Sequence, residues 1–290
     1  MPELKRPHEQ PRSHSGHSEH ERVSDIMRES PYRDRFVELT LRNRDDHSSR
    51  ALLEQEWRYL GPLLAHLDAG APVLDLACGS GPHTLAWAER GFRLTGIDFD
   101  PELLVAGRRR VAEAAPQAPA PAWTCGDATC LPYAAGSFDA VFCNSLLEHV
   151  PAWESVLSEA ARVLRPGGVF VMYTTNRTCP MQQEVNHFPF YSWLPDPIQR
   201  RVLAWIMKHR RDLVNYTDFP AVNWFTFPAM SDAFRRHGLE PLDRIDLLAR
   251  RNSGGLKGAL VGAMHRMPVL KWPYYFYAIS MGLYGVKRAR

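Results

Sequence analysis

The sequence lacks any long hydrophobic run. Its longest uncharged stretch lies between Lys271 and Lys287, short of the ~20 residues that a membrane-spanning helix needs, so no transmembrane helix is expected. Cysteine is scarce, with five in 290 residues (Cys78, Cys125, Cys130, Cys143 and Cys179) and none at paired metal spacing. A disulfide scaffold and a thiolate metal centre are thereby excluded. No apolar segment near the N-terminus resembles a secretion signal, and these features together predict a reduced, cytoplasmic protein. Net charge is also small, since 35 Lys and Arg against 32 Asp and Glu leave +3, and the total calls for no polyanionic partner. No internal repeat is visible.

What charge there is lies unevenly. Arg244 to Arg290 holds nine Lys or Arg against one acid, Asp246, and Gln199 to Arg211 holds five with none. Such stretches suit a membrane surface, an anionic substrate or nucleic acid, or simply a solvated basic face. Residues 1–22 are polar, carry four of the twelve histidines and show no apolar period, which predicts a disordered tail. His14, His17 and His20 recur at a spacing that metal ligands on a helix face would show, but no cysteines or apolar face accompany them, and no metal is expected. Across 23–70 the apolar residues recur at helical intervals, as in "LLEQEWRYLGPLLAHL", predicting an N-terminal helical lid.

From residue 71 to 178 the pattern alternates. Strand-like runs at "PVLDLA", "RLTGID", "AWTCGD", "FDAVFCN" and "GVFVMYTT" are separated by helical segments at Pro82–Arg90, Pro101–Ala114 and Trp153–Leu164. Alternating strand and helix means an α/β fold with a parallel, doubly wound, Rossmann-like sheet. Residues 179–225 break the rhythm with three tryptophans and five prolines, an aromatic inserted cap with one helix near Pro197–Arg211. Residues 226–290 then complete the sheet: a helix, a glycine stop, a strand, a short helix, and finally either a last strand ending near Lys287 or an aromatic amphipathic segment.

The most informative stretch is "VLDLACGSG", Val73 to Gly81. In an open parallel sheet ligands lie at the carboxyl ends of the strands, and the first strand supplies the turn; glycines there let backbone amides approach a ligand. Asp98 ends the second strand 23 residues after Asp75, where an acid can accept both ribose hydroxyls of an adenosine. NAD and S-adenosylmethionine both fit so far. Asp127, after the third strand, can accept from an adenine amine, while Pro82 and His83 occupy the place where a pyrophosphate-binding helix start would want open N–H groups.

With "GIDFD", "GDATCLPYAAGSFDAVFCNSLLEHV" and "RVLRPGG" following in order, the stretch resembles class I S-adenosylmethionine-dependent methyltransferases, in particular the group containing ubiquinone and menaquinone biosynthesis methyltransferases. The resemblance spans Ala71 to Thr175. It implies a seven-stranded sheet and S-adenosyl-L-methionine as cofactor. It further implies that Gly79 and Gly81 pass under the methionine portion, with Asp75 orienting the turn and Ala77 standing where many members have glycine. Asp98 would bind the ribose and Asp127 the adenine amine, Ala128 would offer its amide and Phe99 would pack on the ring. Asn144 would place its backbone beside the ammonium.

Methylation of an oxygen needs a proton acceptor. His149, after the fourth strand, is the first candidate base and His187 in the cap the second; a histidine that only shapes the loop is the competing role for His149, and Glu148 fits loop orientation. Phe188, Phe190, Tyr191, Trp193, Trp205, Trp224, Phe225 and Phe227 supply the aromatic surface of a small-molecule pocket or of core packing. The expected function is methylation of a small-molecule acceptor, most readily at oxygen. The alternatives are a lipid, quinone or lipid-linked acceptor at a membrane surface, with peripheral membrane contact near "KWPYYFY", and a non-catalytic cofactor-binding protein. A nucleic-acid substrate is not expected: "CNSLLEH" lacks the Asn/Asp-Pro-Pro-aromatic motif used on base amines, and no RNA-binding module is visible.

Overall fold

The computed structural model describes residues 47–181, 185, 188–210, 213, 221–251 and 255–288, with backbone alone for 47–53 and 55. The expected tail at 1–22 with its histidines, the first half of the helical lid (23–46), and His187 lie outside the described residues.

Seven strands form one sheet: β1 (Pro72–Leu76), β2 (Arg93–Asp98), β3 (Ala122–Cys125), β4 (Phe138–Asn144), β5 (Leu164–Thr175), β6 (Leu239–Asp243) and β7 (Ser280–Lys287). Their order is β3-β2-β1-β4-β5-β7-β6. The pairs among β1–β5 are parallel, and β7 runs antiparallel between β5 and β6. The expected doubly wound α/β sheet is therefore present, and the final segment takes the strand alternative. The order turns between β1 and β4, which places the ligand crevice at the carboxyl ends of those strands.

Side chains alternate across the sheet. Leu74, Leu76, Ile97, Val141 and Phe170 face one layer, packed by α4 (Trp153–Val163) and α6 (Phe227–Arg236). Val73, Leu94, Ala140, Phe142 and Val171 face the other, covered by α1 (His47–Leu64), α2 (Pro82–Ala88), α3 (Pro101–Ala114) and α7 (Arg244–Arg250). Asp100 caps α3 by accepting from the amides of Glu102 (2.9 Å) and Leu103 (3.4 Å), with proline at the next position, as its sequence predicts.

Two local features shape the C-terminal part. The strand after the glycine stop ends at Asp243, because the Asp243 and Asp246 carboxylates each accept the other residue's amide at 3.0 Å and start α7 as a capping box. A second helix, α8 (Gly255–Arg266), precedes the short α9 (Trp272–Tyr277). Lys271 is buried and its ammonium donates to Asp243 (2.9 Å) and Asp246 (2.6 Å), while His265 reaches Asp246 at 2.7 Å and the Tyr275 hydroxyl donates to Asp243 at 2.8 Å. This cluster fastens α8 and α9 to the start of α7.

In the segment expected to form the cap, α5 (Asp196–His209) and a turn at Tyr191–Trp193 enclose their own small core of Val185, Tyr191 and Ile206. Phe225 and Phe227 belong instead to the main core, whereas Phe190, Trp193 and Trp205 are exposed.

Candidate active site

β1 ends in a turn that reverses within five residues. Ala77 (φ 59°), Gly79 (φ 51°) and Gly81 (φ 73°) all adopt left-handed backbone, a conformation that costs a non-glycine residue about 1–2 kcal/mol. The two glycines serve different ends. A Cβ on Gly79 would meet nothing within 4 Å, so its face of the turn is open. A Cβ on Gly81 would lie 2.8 Å from the Trp123 ring and one on Gly107 2.7 Å from it, so the indole fills the room those glycines leave and locks the turn to α3.

The turn is tied to the second strand through an acid. The Gly79 amide donates to Asp98 Oδ2 at 2.8 Å and the Asp100 amide to Oδ1 at 3.0 Å. Burial pushes the Asp98 carboxyl up to about 6, against the lowering effect of those amides. Below it Asp75 accepts the Thr84 hydroxyl at 2.5 Å, and burial, reinforced by the charge of Asp98, raises its carboxyl to about 7. Two buried acids thus stand under one turn with no buried cation among their hydrogen-bond partners in the described residues, an electrostatic setting that favours a positively charged ligand.

Six of the residues singled out in the sequence, Ala77, Asp98, Phe99, Asp127, Ala128 and His149, line one narrow cleft over Ile97, Leu146 and Val150. Asp127 is held by Thr129, whose amide and hydroxyl donate to Oδ1 at 2.8 and 2.7 Å. Asp75, Gly79, Gly81 and Asn144 are not among the residues lining the cleft. The Asn144 side chain turns toward α2, with Nδ2 3.1 Å from His83 Nε2, and its successor Ser145 has φ 53°. Two non-glycine residues in left-handed backbone, Ala77 and Ser145, therefore sit at the carboxyl ends of adjacent strands, the pattern of a site held in strain.

The loop bearing His149 is anchored from beneath and from the side. Glu148 is fully buried and accepts the Thr174 hydroxyl at 2.7 Å; burial raises its carboxyl to about 7. Asn223 clamps the same loop, its Nδ2 donating to the carbonyls of Leu147 (2.8 Å) and Val150 (2.7 Å), while the amides of Val222 and Asn223 donate to the Glu148 carbonyl at 2.8 and 3.0 Å. Sequence reading missed Asn223 and Thr174. Only the polar asparagine between Val222 and Trp224, in an otherwise apolar run, signals the clamp.

A second, larger cavity of about 540 Å³ lies beside β5 and β7, outside every sequence-based expectation. Its floor is a buried polar cluster: the hydroxyls of Tyr173 and Tyr284 each lie 3.0 Å from Glu56 Oε2, and Arg244 pairs with the other carboxylate oxygen. Pro273, Tyr274, Tyr277 and Ile279 form its walls. Tyr173 stands opposite Asn144 in the β4–β5 register, and its carbonyl accepts the Ser145 amide at 3.0 Å. The cavity thus adjoins the same carboxyl edge as the cleft. None of the aromatic residues expected from 188 to 227 lines either space.

Sheet order, glycine turn and acid-tipped second strand define a class I methyltransferase domain. Residues 74–172 match the family described as "Methyltransferase domain", the segment that carries the motifs resembling class I, S-adenosylmethionine-dependent methyltransferases. It is 40% identical over 115 residues to a ubiquinone biosynthesis O-methyltransferase of Xanthomonas oryzae pv. oryzae, covering 39% of this chain and 47% of that protein. It is 37% identical over 138 residues to a ubiquinone/menaquinone biosynthesis C-methyltransferase of Paracoccus denitrificans, covering 47% and 54%. The chain therefore spans about half the length of the curated relatives it matches. A solved structure of a possible exported protein from Bordetella parapertussis shares the fold, with a TM-score of 0.50 at 18% identity over 81% of this chain and 68% of that one.

Among the described residues no helix is long and apolar enough to cross a membrane, and no group of three or more His, Cys, Asp or Glu forms a metal centre.

Proposed function

We propose that the chain is an S-adenosylmethionine-dependent methyltransferase acting on an oxygen of a small-molecule acceptor. The observation that carries this reading is the pair of buried acids, Asp75 and Asp98, under an open glycine turn beside the cleft lined by Phe99, Asp127 and Ala128. The residues fit the cofactor: the open face at Gly79 leaves room for it, and the acids complement its positive charge. Asp98 and Asp127 would hold the ribose and adenine, Ala128 would offer its amide, and the Gly79 and Asn144 backbone would flank the methionine end. When bound, S-adenosylmethionine supplies an electrophilic methyl group, and the protein's contribution is then alignment and exclusion of water.

The cavity over Glu56, Tyr173 and Arg244 is the acceptor site in this reading. Its volume falls within the roughly 300–1,000 Å³ typical of small-molecule pockets, and it adjoins the β4–β5 carboxyl edge where Asn144 and Ser145 turn. His149, held by the Glu148–Asn223 clamp at the edge of the cleft, would accept the hydroxyl proton, with His187 the second candidate. The two curated relatives methylate oxygen in one case and carbon in the other, by their names. The oxygen assignment therefore rests on His149 as candidate base and not on kinship.

The test is methyl transfer from radiolabelled S-adenosylmethionine to lipid-soluble, small polar and macromolecular fractions of a cell extract, with Asp98→Ala as control. Label in a small-molecule fraction that disappears in Asp98→Ala is expected. Calorimetric binding of S-adenosylhomocysteine without label in any fraction would leave a cofactor-binding protein and overturn the catalytic reading.

A further inference from the structure

The face formed by α8, the turn Pro268–Lys271 and α9 is apolar, exposed among the described residues and flanked by basic side chains. In α8 only Val261 is buried, although a helix so poor in charge is ordinarily covered by protein. Leu256 is 89% exposed, Leu260 60% and Val269 63%, and Met267, Leu270 and Trp272 are exposed beside them. A soluble monomer rarely shows a contiguous apolar patch of this kind without a partner for it. The cluster of Lys271 with Asp243 and Asp246 holds the turn in place from behind, so the patch is a fixed part of the fold.

We propose that this face docks on an anionic lipid bilayer. Arg251, Lys257 and Arg266 are exposed on the same segment, Arg250 beside them pairs with Glu240 at 3.6 Å, and from Leu247 to Lys287 there is no acidic residue. Apolar and aromatic side chains flanked by arginine and lysine are what a lipid interface binds, each cation near an anionic surface adding about 1 kcal/mol. A second copy of this chain is the competing occupant, and the charge argues against it. A two-fold interface would set these cations against one another with no acid on the segment to pair them. Trp193 extends the face, its ring lying 6.2 Å from that of Phe276. Tyr277, 77% exposed, and Ile279 belong both to the face and to the rim of the larger cavity, so a docked bilayer would lie at the cavity's mouth. The docking surface does not depend on the methyl-transfer reading.

The test is co-sedimentation of the full chain with vesicles of phosphatidylcholine alone and of phosphatidylcholine with phosphatidylglycerol, at low and high salt, alongside sedimentation velocity without lipid. Pelleting with the anionic vesicles, weakened by salt, is expected. Leu256→Glu/Leu260→Glu and Lys257→Glu/Arg266→Glu, all at exposed positions, should each lower the partition coefficient at least tenfold while leaving the circular dichroism spectrum unchanged. No pelleting above the phosphatidylcholine background, or pelleting unaltered in Leu256→Glu/Leu260→Glu, would overturn the proposal. A wild-type dimer that this variant dissociates, without vesicle binding, would assign the face to a second copy instead.

Discussion

Glu148→Gln isolates the energetic cost of a buried acid beneath the candidate base. Burial raises the Glu148 carboxyl from 4.5 to about 7, so the folded state holds its proton over a range in which the unfolded chain has released it. A raised carboxyl contributes stability that is fully present below the unfolded value and is lost as pH rises toward the folded one; above about 7 the loss is complete. At about 1.4 kcal/mol per unit, a shift of this size amounts to about 3 kcal/mol, most of it lost between about pH 5 and pH 8. Glutamine keeps the shape and an acceptor for the Thr174 hydroxyl but cannot ionise. The variant should match the wild type at about pH 5 and exceed it by roughly 2–3 kcal/mol at about pH 8 in urea unfolding. Parallel pH profiles for the two proteins would refute the reasoning, because every other titrating group is common to both.

Three further outcomes test other parts of the structure. Gly107→Ala drives a methyl group into the Trp123 ring and should cost about 1–3 kcal/mol in thermal unfolding, most of it regained in Gly107→Ala/Trp123→Leu; a neutral single variant would show that the indole is free to move. Lys271→Met leaves Asp243 and Asp246 facing each other beside α9 and should lose about 3–5 kcal/mol at neutral pH, with wild-type urea resistance contradicting this. Binding of S-adenosylhomocysteine, whose ammonium favours ionised acids nearby, should release protons from Asp75 and Asp98 and tighten as pH rises from about 5 to 8. Calorimetric heats that do not depend on the ionisation enthalpy of the buffer would separate those acids from the ligand.

The parts of the fold legible in the sequence are those whose cause is local. β1, β2, β4 and β5 are short apolar runs closed by glycine, aspartate or asparagine, and α3 carries its own cap. Asp98 and Asp127 reach one cleft because strand ends in a doubly wound sheet converge whatever the intervening helices contain, whereas Asp75 lies within β1 beneath the turn. The end of β6 carries no glycine or proline break, and it is set by the reciprocal bonds between Asp243 and Asp246 that start α7. The floor of the larger cavity had no local signal at all. Glu56 meets Tyr284 across 228 positions of the chain, and nothing near either residue announces the other. Of the aromatic residues from 188 to 227, Phe225 and Phe227 take the core-packing role and Phe190, Trp193 and Trp205 are exposed, because aromatic content alone does not say which surface or cavity a ring will face.

The placement of β7 bears on how the molecule is made. Among the described residues β6 has no neighbour in the sheet except β7, and β7 is the last strand of the seven in chain order. During synthesis β1 to β5 can assemble as they emerge, but β6 must wait for a strand that has yet to leave the ribosome. In that interval β5 presents Val169, Phe170, Val171 and Met172 along an unpaired edge, the kind of edge to which other chains add. Closing it requires contacts between Thr175 and Ser280 across the entire C-terminal third, a slow step by the entropy of the loop alone. Nascent chains stalled or cleaved before Ser280 should therefore aggregate instead of yielding a smaller soluble domain.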